Sequence, residues 1–85
     1  MEDTIQKIKL FATTWCFMSR STKAFLDRHQ VVYEYVDIDT DKAGEAFVIQ
    51  TNHGNRSVPT LLFPDGSTLT EPSLQELAKK LDLDS

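Results

Sequence analysis

A single thiol carries most of the chemistry open to this chain. Cys16 is its only cysteine, and it stands in Thr13-Thr14-Trp15-Cys16-Phe17-Met18-Ser19, between an apolar run of strand character and a run of helical period. A sulfur at a helix N-terminus faces unpaired backbone N–H groups and the positive end of the helix dipole. Both favour the thiolate, which is the form that attacks disulfides. Three residues on, where a two-sulfur redox motif carries its second cysteine, this chain has Ser19. The Ser19 hydroxyl can donate a hydrogen bond toward the thiolate and help lower its pKa, but it cannot close a disulfide. Trp15 either shields the sulfur or offers an apolar face to a partner. Cysteine is among the most often buried residue types, so an inert core thiol is the competing expectation. The Trp, Ser and Thr neighbours at a loop–helix junction favour the reactive one.

Pro59 is the second feature, in Arg56-Ser57-Val58-Pro59-Thr60. A proline at the start of an apolar strand either caps an edge strand or, in the rarer cis form, presents the Val58 backbone to a peptide-like ligand. Arg56, just before it, is either a partner for an anionic ligand or a solvated loop charge.

The elements that must position these groups follow from period and punctuation. Ile8 to Ala12 is mostly apolar and reads as a buried strand. From Cys16 the period lengthens: Phe17, Ala24, Phe25, Leu26 and His29 form one face of a helix ending near His29-Gln30, with Lys23, Asp27 and Arg28 outside. Val31 to Ile38 is β-branched and aromatic, a second strand. Asp39-Thr40-Asp41 supplies N-cap candidates for a helix over Lys42 to Asn52, with Ala43, Ala46, Phe47, Ile49 and Gln50 as its inner stripe. Gly54 and the asparagines around it end that helix. Val58 to Phe63 is a third strand, Pro64-Asp65-Gly66-Ser67 a turn, and Thr68 to Thr70 a fourth strand, making a hairpin. Pro72-Ser73 opens a last helix along Leu74, Leu77, Ala78 and Leu81, with Ser73 and Glu76 in capping-box relation. The order βαβαββα predicts one α/β domain over residues 1–85. Two parallel strands are joined by a right-handed crossover, and an antiparallel hairpin completes a four-stranded mixed sheet flanked by three helices. Cys16 then falls at the carboxyl end of a parallel strand, where open α/β sheets bind ligands.

Composition narrows the function. Eighty-five residues suffice for one small core. A formal charge of -4, with no basic block, argues against nucleic acid, which requires a basic face. Asp37, Asp39 and Asp41, and again Asp82 and Asp84, read as solvated faces or helix caps. Met1 to Lys7 is polar and acidic, unlike a secretory leader; no apolar run reaches membrane-spanning length; a lone thiol suits a reducing compartment. A cytoplasmic protein off the membrane is expected. His29 and His53 are far apart and no second cysteine exists, so no zinc set is expected. His29 reads as a helix-end residue, His53 as a turn residue near the site.

Three segments together, Trp15-Cys16-Phe17-Met18-Ser19, Ser57-Val58-Pro59-Thr60 and Pro64-Asp65-Gly66-Ser67, in this order of elements, resemble the glutaredoxin family of the thioredoxin fold, in its mycoredoxin-like bacterial branch. The resemblance spans nearly the whole chain. It implies a thiol–disulfide oxidoreductase with Cys16 as nucleophile, Ser19 beside it, and a cis Val58–Pro59 bond whose Val58 backbone pairs with a thiol or peptide. Trp15, Phe17, Arg56, Val58, Pro59 and Ser73 are the implied substrate-binding residues. It implies a low-molecular-weight thiol, mycothiol or glutathione, as co-substrate, protein mixed disulfides as partners, and no tightly bound cofactor. The segment Thr70-Glu71-Pro72-Ser73 corresponds to the one that holds the thiol's carboxylate in the family. Glu71 places negative charge there, and Ser73 at a helix N-terminus is the better anion contact.

Ser19 has two possible origins, a natural monothiol protein or a Cys-to-Ser substitution. An iron–sulfur role is the first rival: one cysteine per chain would require a dimer plus outside thiols, and Phe17 adds bulk beside the sulfur. A phosphatase-type loop fits poorly, since the sixth residue after Cys16 is Thr22 rather than Arg. A non-catalytic module that binds through Trp15, Tyr33 and Tyr35 is the remaining alternative. A monomer is expected, with an oxidative dimer through Cys16 open to it.

Overall fold

The computed structural model describes residues 7–83; the acidic stretch 1–6 and Asp84 fall outside it. The elements are β1 (Ile8–Ala12), α1 (Phe17–Arg28), β2 (Tyr33–Asp37), α2 (Lys42–Thr51), β3 (Thr60–Leu62), β4 (Thr68–Thr70) and α3 (Leu74–Lys80). The sheet order is β2-β1-β3-β4. β1 runs parallel to β2 and antiparallel to β3, and β3 pairs antiparallel with β4. This is the thioredoxin-like glutaredoxin architecture that the sequence leads one to expect.

β1 is central and buries side chains on both of its faces, with only Lys9 exposed. Alternate side chains of a strand point to opposite sides. Leu10 and Ala12 thus join Phe25, Leu26, Leu61, Leu77 and Ala78 beneath α1 and α3. Phe11 faces the other way, with Val36, Ile38 and Val48 under α2, where its ring stacks on Phe47 at a centroid distance of 4.7 Å. A strand sandwiched in this way holds its carboxyl end, and the loop to Cys16, in a fixed place.

The helix faces differ from the expected stripes. In α1, Phe17 and Ala24 are exposed, and the buried side chains are Ser19, Thr22, Phe25 and Leu26. His29 leans half-buried against Phe25. In α2, Ala43, Ala46, Ile49 and Gln50 are exposed, and Gly44 and Val48 face the sheet. The reason is local. α2 lies so close to β2 that a Cβ on Gly44 would come within 2.6 Å of Val36 Cγ1, so the contact residue is the one with no side chain. β2 begins at Tyr33, after the exposed Val32, and β3 begins at Thr60, after the proline.

The ends are set by local chemistry. The Asp41 carboxylate accepts the Gly44 N–H at 2.9 Å and caps α2. The helix runs out at Asn52, and the left-handed residues beyond it are His53 and Gly54, not the asparagines. In the hairpin, Gly66 takes φ 90 and the Asp65 carboxylate accepts the Ser67 N–H at 2.9 Å. Asn52 ties α2 to the sheet. Its amide donates to the Thr60 hydroxyl at 3.1 Å, and its carbonyl accepts from Thr70 at 2.7 Å.

Candidate active site

Cys16 is the N-cap residue of α1. Its backbone is extended, its carbonyl accepts the Arg20 N–H at 3.0 Å, and its side chain caps nothing. The sulfur is therefore free at the positive end of a twelve-residue helix. It is half-buried rather than walled in. Burial pushes the thiol up. The Ser19 backbone N–H, the Ser19 hydroxyl and the Met18 N–H outweigh that, while the Glu71 charge opposes them. The net result is a thiol below its ordinary range, poised toward thiolate.

Ser19 is buried beside the sulfur, 1% exposed. Its oxygen accepts the Thr13 N–H at 3.4 Å, which leaves its own proton to point at Cys16. Thr13 itself is fully buried, and its hydroxyl has no partner among the described residues. The Val58–Pro59 bond is cis. The Val58 carbonyl lies 4.0 Å from the Cys16 sulfur, so the two segments 42 residues apart meet at one point. Pro59 is buried, and its carbonyl accepts the Glu71 N–H at 2.7 Å, which brings Glu71 to the rim with φ 50. Trp15, Phe17 and Met18 stand exposed around the sulfur, at 64%, 74% and 40%.

Two of the expected ligand contacts are already engaged. The Arg56 guanidinium donates to Asp39 at 2.5 Å and to Glu45 at 2.6 Å. The Ser73 hydroxyl accepts the Glu76 N–H at 3.0 Å, and its own N–H donates to the Glu76 carboxylate at 2.8 Å, a closed capping box. Both Ser73 groups are thereby turned toward α3. His53 is exposed at the end of α2.

Asp39 and Arg20 were not singled out from sequence. The Asp39 carboxylate accepts the Trp15 indole N–H at 2.8 Å, and Arg56 holds that carboxyl below its usual range. Arg20 folds back over the loop, donating to the Thr14 and Trp15 carbonyls at 3.5 and 3.4 Å. Arg20 sits one helical turn after the cysteine, which is a readable signal. Asp39 has none, because its partners lie 24 and 17 residues away.

The glutaredoxin family model matches residues 8–67, a span that includes the cysteine loop, the cis proline and the hairpin turn. The chain belongs to the glutaredoxin family. A Mycobacterium tuberculosis protein that bears the glutaredoxin name is 42% identical over 74 residues, covering 87% of this chain and 88% of the relative. Mycoredoxin 1 of Corynebacterium glutamicum is 33% identical over 78 residues, covering 92% and 96%. Among solved structures, a point variant of the thioredoxin-like protein BC3987 superposes with a TM-score of 0.82 at 25% identity, covering 94% of this chain and all of that one. Within the glutaredoxins this chain is mycoredoxin-like, and the family assigns it to thiol–disulfide redox chemistry. Among the described residues no helix is long and apolar enough to cross a membrane.

Proposed function

We propose that the chain reduces mixed disulfides by a monothiol route. The Cys16 thiolate attacks the small-thiol sulfur of a protein mixed disulfide. The protein–sulfur bond breaks, the reduced protein leaves as thiolate, and a Cys16–small-thiol disulfide remains. A second small thiol, as thiolate, attacks the small-thiol sulfur of that adduct. The oxidised small-thiol dimer leaves, and the Cys16 thiolate is restored. Each turnover thus consumes one free small thiol, which joins the small thiol released from the mixed disulfide, and frees one protein thiol, with no internal second sulfur.

The observation that carries this is the sulfur itself, free at the N-terminus of α1, lowered in pKa, and 4.0 Å from the Val58 carbonyl. The Val58 backbone is the edge against which a substrate backbone would lie, with Trp15, Phe17 and Pro59 around it. A thiol with pKa nearer ambient pH combines a usable thiolate fraction with retained nucleophilicity.

The same geometry favours mycothiol over glutathione. Glutathione brings two carboxylates, and mycothiol, a sugar-linked cysteine, brings none. The rim offers Glu71, whose charge already opposes the thiolate. The nearby Arg56 is spent on Asp39 and Glu45, and the Ser73 N–H on Glu76. The mycoredoxin name of the Corynebacterium relative points the same way.

The test is turnover of a protein–mycothiol mixed disulfide by the chain and by Cys16→Ser. The variant loses all transfer, and mass spectrometry of the unmodified chain finds the adduct on Cys16. Transfer by the serine variant would overturn the mechanism. Equal turnover of a protein–glutathione substrate would overturn the preference.

A further inference from the structure

An exposed tryptophan ordinarily turns freely with its N–H in water. Here Trp15 is 64% exposed, yet its one polar atom is bound to the Asp39 carboxylate at 2.8 Å. Asp39 does not stand alone. Its second oxygen takes Arg56, and the same guanidinium reaches Glu45 on α2. The relay Trp15–Asp39–Arg56–Glu45 crosses four segments of chain: the cysteine loop, the β2–α2 loop, the stretch two residues before Val58, and α2. Both walls of the Cys16–Val58 mouth are therefore held by one charge-assisted network. We propose that Asp39 is a positioning residue for substrate, fixing the Trp15 indole as a rigid wall beside Cys16, with Arg56 holding Asp39 in place.

This rests on the mixed-disulfide function above. An indole already held in place offers its apolar face to an incoming thiol adduct without a fresh ordering cost, and such preorganisation is gained in affinity. Asp39 is not among the groups that set the Cys16 pKa, so its effect should fall on substrate binding and leave sulfur reactivity alone.

Trp15 is the only tryptophan, so intrinsic fluorescence reports on it without labelling. In Asp39→Ala, anisotropy falls and acrylamide quenching rises; in Asp39→Asn, which retains an acceptor oxygen, both return most of the way. KM for the mixed disulfide rises about tenfold in Asp39→Ala, within the range of one lost charge-assisted hydrogen bond, with kcat within about twofold. Alkylation of Cys16 by iodoacetamide keeps its rate. Trp15→Phe, which lacks the N–H, raises KM similarly, and adding Asp39→Ala to it changes little further, as expected for two residues acting through one contact.

Unchanged anisotropy in both Asp39 variants, or full additivity with Trp15→Phe, would overturn the proposal, as would a loss of alkylation that matches the loss of transfer. If Asp39→Ala fails to fold, Arg56→Gln carries the same readouts, because it releases the carboxylate that holds the indole. Failure of the unmodified chain to transfer would strike the function instead; the fluorescence comparison would still decide whether Asp39 holds the indole.

Discussion

Gly44→Ala is the substitution whose outcome the packing decides most sharply. By helix propensity alone it should stabilise α2, by about 0.5–1 kcal/mol, since glycine carries more backbone entropy into a helix than alanine. The space argues the other way. The new methyl would sit 2.6 Å from Val36 Cγ1, with Phe11 Cδ2 and Asp41 Cγ at 3.5 Å. Val36 cannot swing aside. It is β-branched and stiff at χ1, 8% exposed, and paired with Phe11 in the sheet. Overpacking of this kind costs about 1–3 kcal/mol. The net expectation is a loss of about 1–2 kcal/mol, and for a domain of this size each kcal/mol lowers Tm by about 4–8 °C. Urea denaturation followed by circular dichroism gives the number through the shift in midpoint at constant m. The deciding comparison repeats Gly44→Ala in a Val36→Ala background. Removing the valine methyls opens the space, so the same change should there become neutral or stabilising by up to about 1 kcal/mol. An equal loss in both backgrounds, or a gain in the native one, would refute the packing account. The site should respond too, because Glu45 follows Gly44 directly and anchors Arg56.

Two further outcomes follow from the geometry. The rate of Cys16 alkylation should rise with pH through an inflection below that of a free thiol, because the folded site lowers its pKa. Ser19→Ala should move that inflection up by removing a donor to the thiolate, and Glu71→Gln should move it down by removing a like charge; opposite signs would refute the assigned causes. Asn52→Ala should cost about 1–2 kcal/mol in a urea melt, since it leaves the fully buried Thr60 short of a donor and frees Thr70; a change under about 0.5 kcal/mol would show that the tie between α2 and the sheet carries no weight.

What could be read from sequence was what the chain decides locally. The apolar run at Ile8–Ala12, the Asp65-Gly66 turn and the Ser73–Glu76 capping box each reflect contacts within a few residues, and all appear in place. Cys16 and Pro59 were legible because their types are rare and their chemistry is specific. The inner face of α2 was not, because the residue that sets the helix–sheet distance is Gly44, which hydrophobic periodicity counts as nothing. The burial of Ser19 and Thr22 was not legible for the opposite reason: they are polar yet buried in α1. Arg56 was read as either an anion partner or a solvated loop charge, and Asp39 only as surface charge or a helix cap. Their pairing depends on the β2–α2 loop and the stretch before β3 meeting in space, and nothing in either segment alone announces that.

Position 19 has a consequence for how the protein would behave over time. It carries oxygen in a chain with no second cysteine, so an adduct formed on Cys16 has no internal exit. Its lifetime would be governed by collisions with free thiol, and would lengthen in proportion as that thiol is depleted. Turnover would then follow the abundance of the surrounding reductant, and under scarcity the chain would accumulate in its capped form, a chemical record of the shortage.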